Sequence, residues 1–173
     1  MTEPRPTVPA LLQRSVREFG QQPYVVTPTE RLTYAQAEER SARVARWLLS
    51  EGVGKGSRVG LFFANGVEWV VWWLAVSRIG ALAVPLSTMY APAELAKVLR
   101  LADVGLLVAP ARVLTIDVAE RFETAVPELI SQSSSRLAMP AVPYLRRIVL
   151  TADTDRRWAT RWNEDADALV PPD

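Results

Sequence analysis

The sequence predicts an α/β protein with a parallel, doubly wound sheet and flanking helices, preceded by a small hairpin. Short apolar runs, such as residues 59–64, are typical of strands that are covered on both faces. Between these runs lie stretches with helical periodicity, and glycine or proline stands at most of the boundaries. Strands that alternate with helices at these spacings favour right-handed crossovers and a parallel sheet.

The first elements are a helix and a hairpin. Residues 10–19 carry apolar positions at the spacing of a short amphipathic helix, which Gly20 closes. Residues 24–27 and 30–32 flank a Pro28-Thr29 turn, and we therefore expect a small antiparallel hairpin.

The second predicted helix begins with a capping box formed by Thr33 and Gln36. Glu39 and Arg43 are spaced to pair on its outer face, and Gly52 ends it. The face expected to pack inward comprises Tyr34, Ala37, Ser41, Val44, Ala45 and Leu48.

A βαβ unit follows. Residues 59–64 predict a buried strand, residues 67–79 a helix that is apolar on nearly all sides, and residues 81–86 a second buried strand. Residues 66–85 also resemble a short membrane span. We favour a buried core, because the segment contains Glu68 and Arg78 and is punctuated by glycine and proline.

Pro92 opens a further predicted helix, which turns Leu95, Val98, Leu99 and Ala102 inward. The rest of the chain predicts a strand at residues 104–108, a helix at 115–130, a loop at 131–135 and a last strand at 147–150. We accordingly expect one α/β subdomain over residues 1–151. Residues 152–173 would be an acidic tail or the start of a linker.

Composition excludes several classes of function. The 173 residues include no cysteine and no histidine, which excludes disulfide frameworks, thiolate nucleophiles, Ser-His-Asp triads and ordinary zinc sites. Twenty basic and nineteen acidic residues, with a net charge of +1, give no reason to expect binding to nucleic acid. Residues 1–9 lack the apolar region of a signal peptide, so we expect a cytoplasmic protein.

Residues 52–57 (GVGKGS) contain the residue types of a phosphate-binding loop, but in the wrong order and context. Such a loop needs Gly-Lys followed directly by Ser or Thr, and it leads from a strand into a helix. Here Gly56 intervenes, and the segment leads from a helix into a strand, so we interpret it as a connecting turn.

Trp69, Trp72 and Trp73 could form a surface on which a cofactor stacks, but tryptophans on a helix that is apolar all round are usually core. We therefore place them in the core. Two carboxylate pairs, Glu38-Glu39 and Asp165 with Asp167, lie on predicted solvent faces, where solvation explains them.

Ligands of open α/β sheets bind beyond the carboxyl ends of the strands. In this sequence the polar or aromatic loop residues at those ends could hydrogen-bond or stack, although inert surface loops have the same composition. These candidates are Asn65 and Gly66 after one strand, and Ser87, Thr88, Met89 and Tyr90 after the next.

An ordered series of short motifs carries a family resemblance across roughly residues 20–110. The region resembles the amino-terminal part of AMP-forming acyl-CoA synthetases, the acyl-adenylate-forming ligases, with Ser57 where that family often has Asp. The motifs are Leu32-Thr33-Tyr34, Gly52-Val53, Gly56-Ser57-Arg58-Val59, Asn65 with Glu68, Gly80-Ala81, Val84-Pro85-Leu86, and Glu94-Leu95 with Leu99.

The resemblance implies a reaction and also what this chain lacks. Complete relatives use ATP, Mg and CoA, first forming an acyl-adenylate and then transferring the acyl group to coenzyme A. Their nucleotide loop ends in Pro-Lys-Gly, and they also use an acidic ribose-binding residue and a lysine of a mobile carboxy-terminal domain. None of these can be assigned before Asp173, so no catalytic, cofactor-binding or metal-binding residue is carried over.

The resemblance therefore implies an N-terminal fragment of an acid:CoA ligase, inactive alone and binding no cofactor by itself. Its expected partner is the remainder of the ligase, or a second copy held through exposed apolar surface. The alternative is a stand-alone small-molecule binding or protein-interaction module that uses the crevice near Asn65 and Ser87.

Overall fold

The computed structural model of the chain describes residues 6–164. These residues form two compact units. The first comprises residues 6–56 and Asn65–Ala81, and the second comprises Ser57–Ala64 and the described residues from Leu82 onward.

The first unit contains a hairpin and three helices, as the sequence predicts. Its elements are α1 (Val8–Phe19), β1 (Pro23–Val26), β2 (Arg31–Thr33), α2 (Tyr34–Ser50) and α3 (Val67–Arg78). The two strands pair in antiparallel fashion, which confirms the hairpin.

Local side-chain hydrogen bonds explain where the hairpin turns and where α2 begins. In the turn, the Thr27 hydroxyl oxygen accepts hydrogen bonds from the amides of Thr29 and Glu30, at 3.3 and 2.9 Å. The capping box at α2 is confirmed, because the Gln36 amide donates to Thr33 Oγ1 at 3.2 Å and the Thr33 amide donates to Gln36 Oε1 at 2.9 Å.

Helices α2 and α3 pack against each other through the predicted inward face. Trp72 is fully buried and meets Trp47 edge to face, with ring centroids 6.0 Å apart. Trp69 and Trp73 are only half-buried and stack on each other at 6.2 Å. The core interpretation is thus confirmed for Trp72, whereas the other two tryptophans lie at the margin of the core.

The expectation that Glu38 is a solvated carboxylate is wrong. Its Oε2 lies 2.6 Å from Arg78 Nη2, and the same guanidinium donates to the hydroxyl of buried Ser41 at 3.3 Å. This ion pair joins α2 to α3, and a single-helix pattern does not reveal it. Glu39 pairs with Arg43 at 3.1 Å as predicted, and Asp165 and Asp167 lie outside the described residues.

No helix within residues 6–164 is long and apolar enough to span a bilayer. The apolar segment 66–85 divides into α3 and a separate strand, with Gly80 between them at φ +70°. The preference for a core segment over a membrane span is consistent with this division.

The second unit is a five-stranded parallel sheet with helices. Its sheet strands are β3 (Arg58–Leu61), β4 (Leu82–Pro85), β5 (Leu106–Ala109), β8 (Arg147–Leu150) and β9 (Ala159–Arg161). Its other elements are α4 (Pro92–Leu101), the two-stranded hairpin β6 (Arg112–Val113) and β7 (Ile116–Asp117), α5 (Val118–Ala125) and a 3-10 helix (Pro127–Ser131).

The strands lie in the order β4-β3-β5-β8-β9, and every neighbouring pair is parallel. Because the chain moves outward from β3 to β4 and then returns past β3 to β5, the direction of winding reverses at β3. The fold is therefore mixed α/β, with a parallel sheet flanked by helices and an antiparallel hairpin before it.

The core of the second unit lies between the sheet and helices α4 and α5. Phe62 and Phe122 meet edge to face with ring centroids 5.3 Å apart. Leu95 and Leu99 of α4 are buried in the same cluster, as their spacing predicts, and Val98 and Ala102 pack against it half-buried.

Three predictions for this unit are wrong in part. Strand β4 is not buried, because it lies at an edge of the sheet and Leu82 is 52% exposed. The single helix at 115–130 is instead a hairpin, α5 and a 3-10 helix. Pro127 lacks the amide that helix α5 would need to continue, and Val126 before it is in a non-helical conformation, with φ −134° and ψ 83°.

The strand at 147–150 is also not the last. Strand β9 follows it within the segment that the composition marks as an acidic tail, and pairs with β8. Its flanking tryptophans, Trp158 and Trp162, are 2% and 3% exposed. Burial of these large side chains outweighs the acidic composition of the segment.

Candidate functional site

The carboxyl ends of β3 and β5 meet where the winding of the sheet reverses, which is the usual ligand position in open α/β sheets. Three loops of the second unit leave this edge of the sheet. They are residues 86–91 after β4, residues 110–117 after β5 and residues 151–158 after β8.

The loop after β4 contains four of the predicted candidates. Ser87 Oγ accepts a hydrogen bond from the Met89 amide at 3.1 Å, and the Tyr90 amide donates to the Ser87 carbonyl at 3.3 Å. Arg121 of α5 donates to the Tyr90 carbonyl at 2.6 Å. The Ser87 hydroxyl therefore stabilises its own turn, while Thr88 is half-buried and Met89 is 80% exposed.

The other two candidates, Asn65 and Gly66, belong to the first unit. Asn65 is exposed, and Gly66 is the residue before α3, with no side-chain cap. Glu68, which carries part of the family resemblance, forms an ion pair with Arg40 of α2. Its role within this unit is to join two helices.

A cleft of about 460 Å³ lies at the carboxyl edge of the second unit, between the loops after β5 and β8. This volume is within the range of small-molecule sites. Its lining comprises Ala111, Asp117, Ala119, Leu150, Asp153, Thr154, Asp155 and Arg156.

The charges of the cleft are predominantly negative. Three carboxylates face one guanidinium, that of Arg156, whose Nε lies 2.8 Å from Glu123 Oε1. The Glu123 carboxylate raises the pKa of Arg156, so this cation is already neutralised by its neighbour. Glu123 Oε1 also accepts a hydrogen bond from Trp158 Nε1 at 3.0 Å.

These residues do not fit a nucleoside polyphosphate. Arg156 is the one cation of the lining, and it is already held by Glu123 and by Asp155, at 2.8 and 3.1 Å, so the lining offers no free positive charge to a phosphate. No group of three acidic side chains within residues 6–164 is arranged to hold a metal ion. The cleft is therefore polar, and its lining is a poor match for a chain of phosphates.

The glycine-rich segment 52–57 likewise forms no phosphate loop. It connects the end of α2 with β3, and Gly52 and Gly56 adopt left-handed conformations with φ of +79° and +82°. The interpretation as a helix-to-strand turn is confirmed.

Sequence reasoning missed the cleft, because it applied the rule of strand carboxyl ends only to the first two strands of the sheet. The same rule applied to residues 104–108 and 147–150 would have indicated the loops that contain Asp117 and Asp153.

Comparison with known proteins relates this chain to adenylate-forming ligases. The family model described as AMP-binding enzyme matches residues 12–170. A 3-[(3aS,4S,7aS)-7a-methyl-1,5-dioxo-octahydro-1H-inden-4-yl]propanoyl:CoA ligase of Mycobacterium tuberculosis is 30% identical over 152 residues, covering 88% of this chain and 27% of the relative. The putative acyl-CoA synthetase YngI of Bacillus subtilis is 25% identical over 160 residues, covering 91% and 29%.

Solved structures show the same fold. A putative long-chain-fatty-acid CoA ligase of Rhodopseudomonas palustris superposes with a TM-score of 0.69 and 22% identity, covering 88% of this chain and 34% of that structure. The anthranilate CoA ligase AuaEII, solved with anthranoyl-AMP, gives a TM-score of 0.65 and 22% identity, covering 83% and 24%. The chain spans 27% of the Mycobacterium tuberculosis ligase and 29% of YngI, which is less than a third of the length of each of these two relatives.

Proposed function

The chain belongs to the family of AMP-binding enzymes, and from this premise we propose that it is the amino-terminal segment of an ATP-dependent acid:CoA ligase. The match of the family model to residues 12–170 carries the proposal. The relatives named above are acyl-CoA ligases, which supports that reaction class within the family.

In a complete ligase, ATP and Mg²⁺ would activate a carboxylic acid as an acyl-adenylate. The acyl group would then be transferred to the thiol of coenzyme A. The residues of this chain would act as scaffold. The sheet of the second unit fixes the carboxyl-edge loops, and Arg121 holds the turn at Tyr90 in place.

We expect this polypeptide to form no acyl-adenylate by itself. The acidic cleft does not suit a polyphosphate, and the sequence contains no Ser/Thr/Gly-rich loop that ends in Pro-Lys-Gly. A cytoplasmic location fits the lack of cysteine.

A chimera tests the proposal. This chain would replace the matching segment of the Mycobacterium tuberculosis ligase. Acyl-adenylate formation would be measured by ATP–pyrophosphate exchange, with the carboxylic acid given in the name of that ligase as substrate. We expect exchange from the chimera and none from the chain alone. A second chimera with Leu107→Asp, which places a charge at a fully buried position, should lose the activity.

Two results would contradict the proposal. An inactive chimera that is folded and monodisperse would argue against a ligase segment. Acyl-adenylate made by the chain alone would show that the chain contains its own nucleotide site.

A further inference from the structure

Arginine residues collect at the amino edge of the five-stranded sheet, the edge at which its strands begin. Because the strands are parallel, residues that precede different strands become neighbours there. The Gly105 amide donates to the Arg58 carbonyl at 3.0 Å, the Arg146 amide to the Gly105 carbonyl at 2.8 Å, and the Leu137 amide to the Arg146 carbonyl at 2.9 Å. This row of hydrogen bonds brings Arg58, Arg146 and Arg136, which precedes Leu137, to the amino edge.

Arg100 joins this group from helix α4. The helix leads from the end of β4 back to the start of β5, and the Asp103 amide donates to the Arg100 carbonyl at 3.3 Å. Asp103 also forms an ion pair with Arg58 at 3.2 Å. We refer to Arg58, Arg100, Arg136 and Arg146 as the basic edge.

The basic edge carries an excess of positive charge. All four arginines are exposed, and within residues 6–164 Arg58 is the only one of them with a carboxylate partner. Residues 129–152, which include two of the four, contain no aspartate or glutamate. The net charge of +1 for the whole chain hides this excess, because the carboxyl edge of the same unit holds the three carboxylates of the cleft.

Two large exposed side chains, one apolar and one aromatic, lie beside these arginines. Leu101 ends α4 next to Arg100 and is 72% exposed. Tyr144 is 56% exposed, and its carbonyl oxygen lies 4.0 Å from the ideal Cβ position of Gly105. Charge alone would suit an acidic protein equally well. The adjacent leucine and tyrosine favour a lipid surface, since apolar and aromatic side chains enter the headgroup region while cations remain at the phosphates.

We propose that the basic edge, together with Leu101 and Tyr144, is a docking surface for an anionic lipid membrane. Each basic residue near such a membrane strengthens binding by about fivefold. The cleft lies at the opposite edge of the sheet, so docking leaves it accessible. The inference does not depend on the acid:CoA ligase proposal, because it uses only the charges and exposure of this chain.

Co-sedimentation of the full chain with lipid vesicles tests the proposal. Vesicles of phosphatidylserine and phosphatidylcholine in equal parts should bind the chain, and vesicles of phosphatidylcholine alone should not. Raising the salt concentration from about 0.1 M to about 1 M shortens the Debye length from about 10 Å to about 3 Å, so binding to the anionic vesicles should fall.

Arginine variants test the charge of the basic edge. Arg136→Gln and Arg146→Gln should each weaken binding to the anionic vesicles by about fivefold, and together by about 25-fold. Arg112→Gln is the matched control. Arg112 is exposed and has no carboxylate partner within residues 6–164, but it lies in β6, in the loop at the carboxyl edge. This variant should bind within about twofold of the unchanged chain, because its charge is removed from the opposite edge.

A leucine variant tests the choice of a membrane over an acidic protein. Leu101→Gln should weaken binding by about tenfold, because a leucine that enters the headgroup region leaves water. Leu114→Gln is its control, since Leu114 is 83% exposed at the turn between β6 and β7. We expect this control to bind within about twofold of the unchanged chain, because its side chain would stay in water.

Each other outcome overturns the proposal. These outcomes are no binding to the anionic vesicles, equal binding to both kinds of vesicle, and equal losses from a basic-edge variant or Leu101→Gln and its control. Polyglutamate serves as the probe for an acidic protein. If it bound the chain and Arg146→Gln weakened that binding, while the anionic vesicles did not bind, an acidic protein would be the occupant and the membrane proposal would be wrong.

Discussion

Gly60 is the glycine of the second unit where an added Cβ would have the least room. A Cβ at this position would lie 3.0 Å from both Leu107 Cδ1 and Val104 Cγ1, and 3.2 Å from Leu86 Cδ1. The position is in β3, between β4 and β5, so the strand cannot move away from the added atom without disturbing both ladders.

We expect Gly60→Ala to lower the free energy of unfolding by about 1–3 kcal/mol, because the added methyl group overpacks the core. Gly54→Ala is the matched control, since nothing lies within 4 Å of a Cβ there and its φ is not positive. Urea unfolding of both variants, followed by tryptophan fluorescence, measures the difference. Equal stability of the two would contradict the close packing around β3.

Leu114 is strained and exposed at the same time. Its φ is +55°, in the left-handed region that a leucine side chain disfavours, and it is 83% exposed at the turn between β6 and β7. We expect Leu114→Asn to raise the free energy of unfolding by about 0.5–1 kcal/mol, because asparagine tolerates this conformation and little buried surface is lost.

Thermal denaturation measures the effect of Leu114→Asn. Ile130→Asn is the control, since Ile130 is 72% exposed and lies in the 3-10 helix without a positive φ. It should not gain stability. A gain at both positions would indicate a general effect of removing exposed apolar surface.

At the scale of elements, Glu123 connects α5 to the segment that leads into β9. Its carboxylate accepts from the Trp158 indole and pairs with Arg156. Because Trp158 is 2% exposed, loss of this acceptor leaves a buried donor without a partner.

We therefore expect Glu123→Ala to cost about 1–3 kcal/mol of unfolding free energy, and Glu123→Gln to cost less, since the amide oxygen can still accept from the indole. Asp155→Ala provides the comparison. Asp155 also pairs with Arg156, but its side chain is 87% exposed, so its loss should change stability by less than about 0.5 kcal/mol. If Asp155→Ala proved as costly as Glu123→Ala, the buried acceptor would not be the cause.

At the scale of the whole molecule, several large apolar side chains of the described residues are exposed. Met89, Leu101, Leu114 and Ile130 are each at least 72% exposed. Single exposed apolar residues are common, whereas a contiguous apolar patch would favour contact with other polypeptide.

We expect the chain alone to bind a hydrophobic dye and to self-associate at high concentration, as measured by sedimentation velocity. Ile130→Lys should reduce both signals, because exposed apolar surface would drive this association. A dye-silent, monodisperse monomer would contradict the expectation.

The sequence by itself determined the local elements and the family. The Thr33-Gln36 capping box, the hairpin at Pro28 and the alternation of apolar runs with helices depend on residues close in the chain, and the structure retains them. The ordered motifs from Leu32 to Leu99 likewise indicated the ligase family that the comparison establishes.

Only the tertiary structure decided which strands are edges, which carboxylates are paired and where the cleft lies. Glu38 meets Arg78 forty positions away, and β9 joins the sheet because its flanking tryptophans become buried in a core formed by distant elements. Such contacts depend on packing between segments far apart in the chain, and local periodicity carries no information about them.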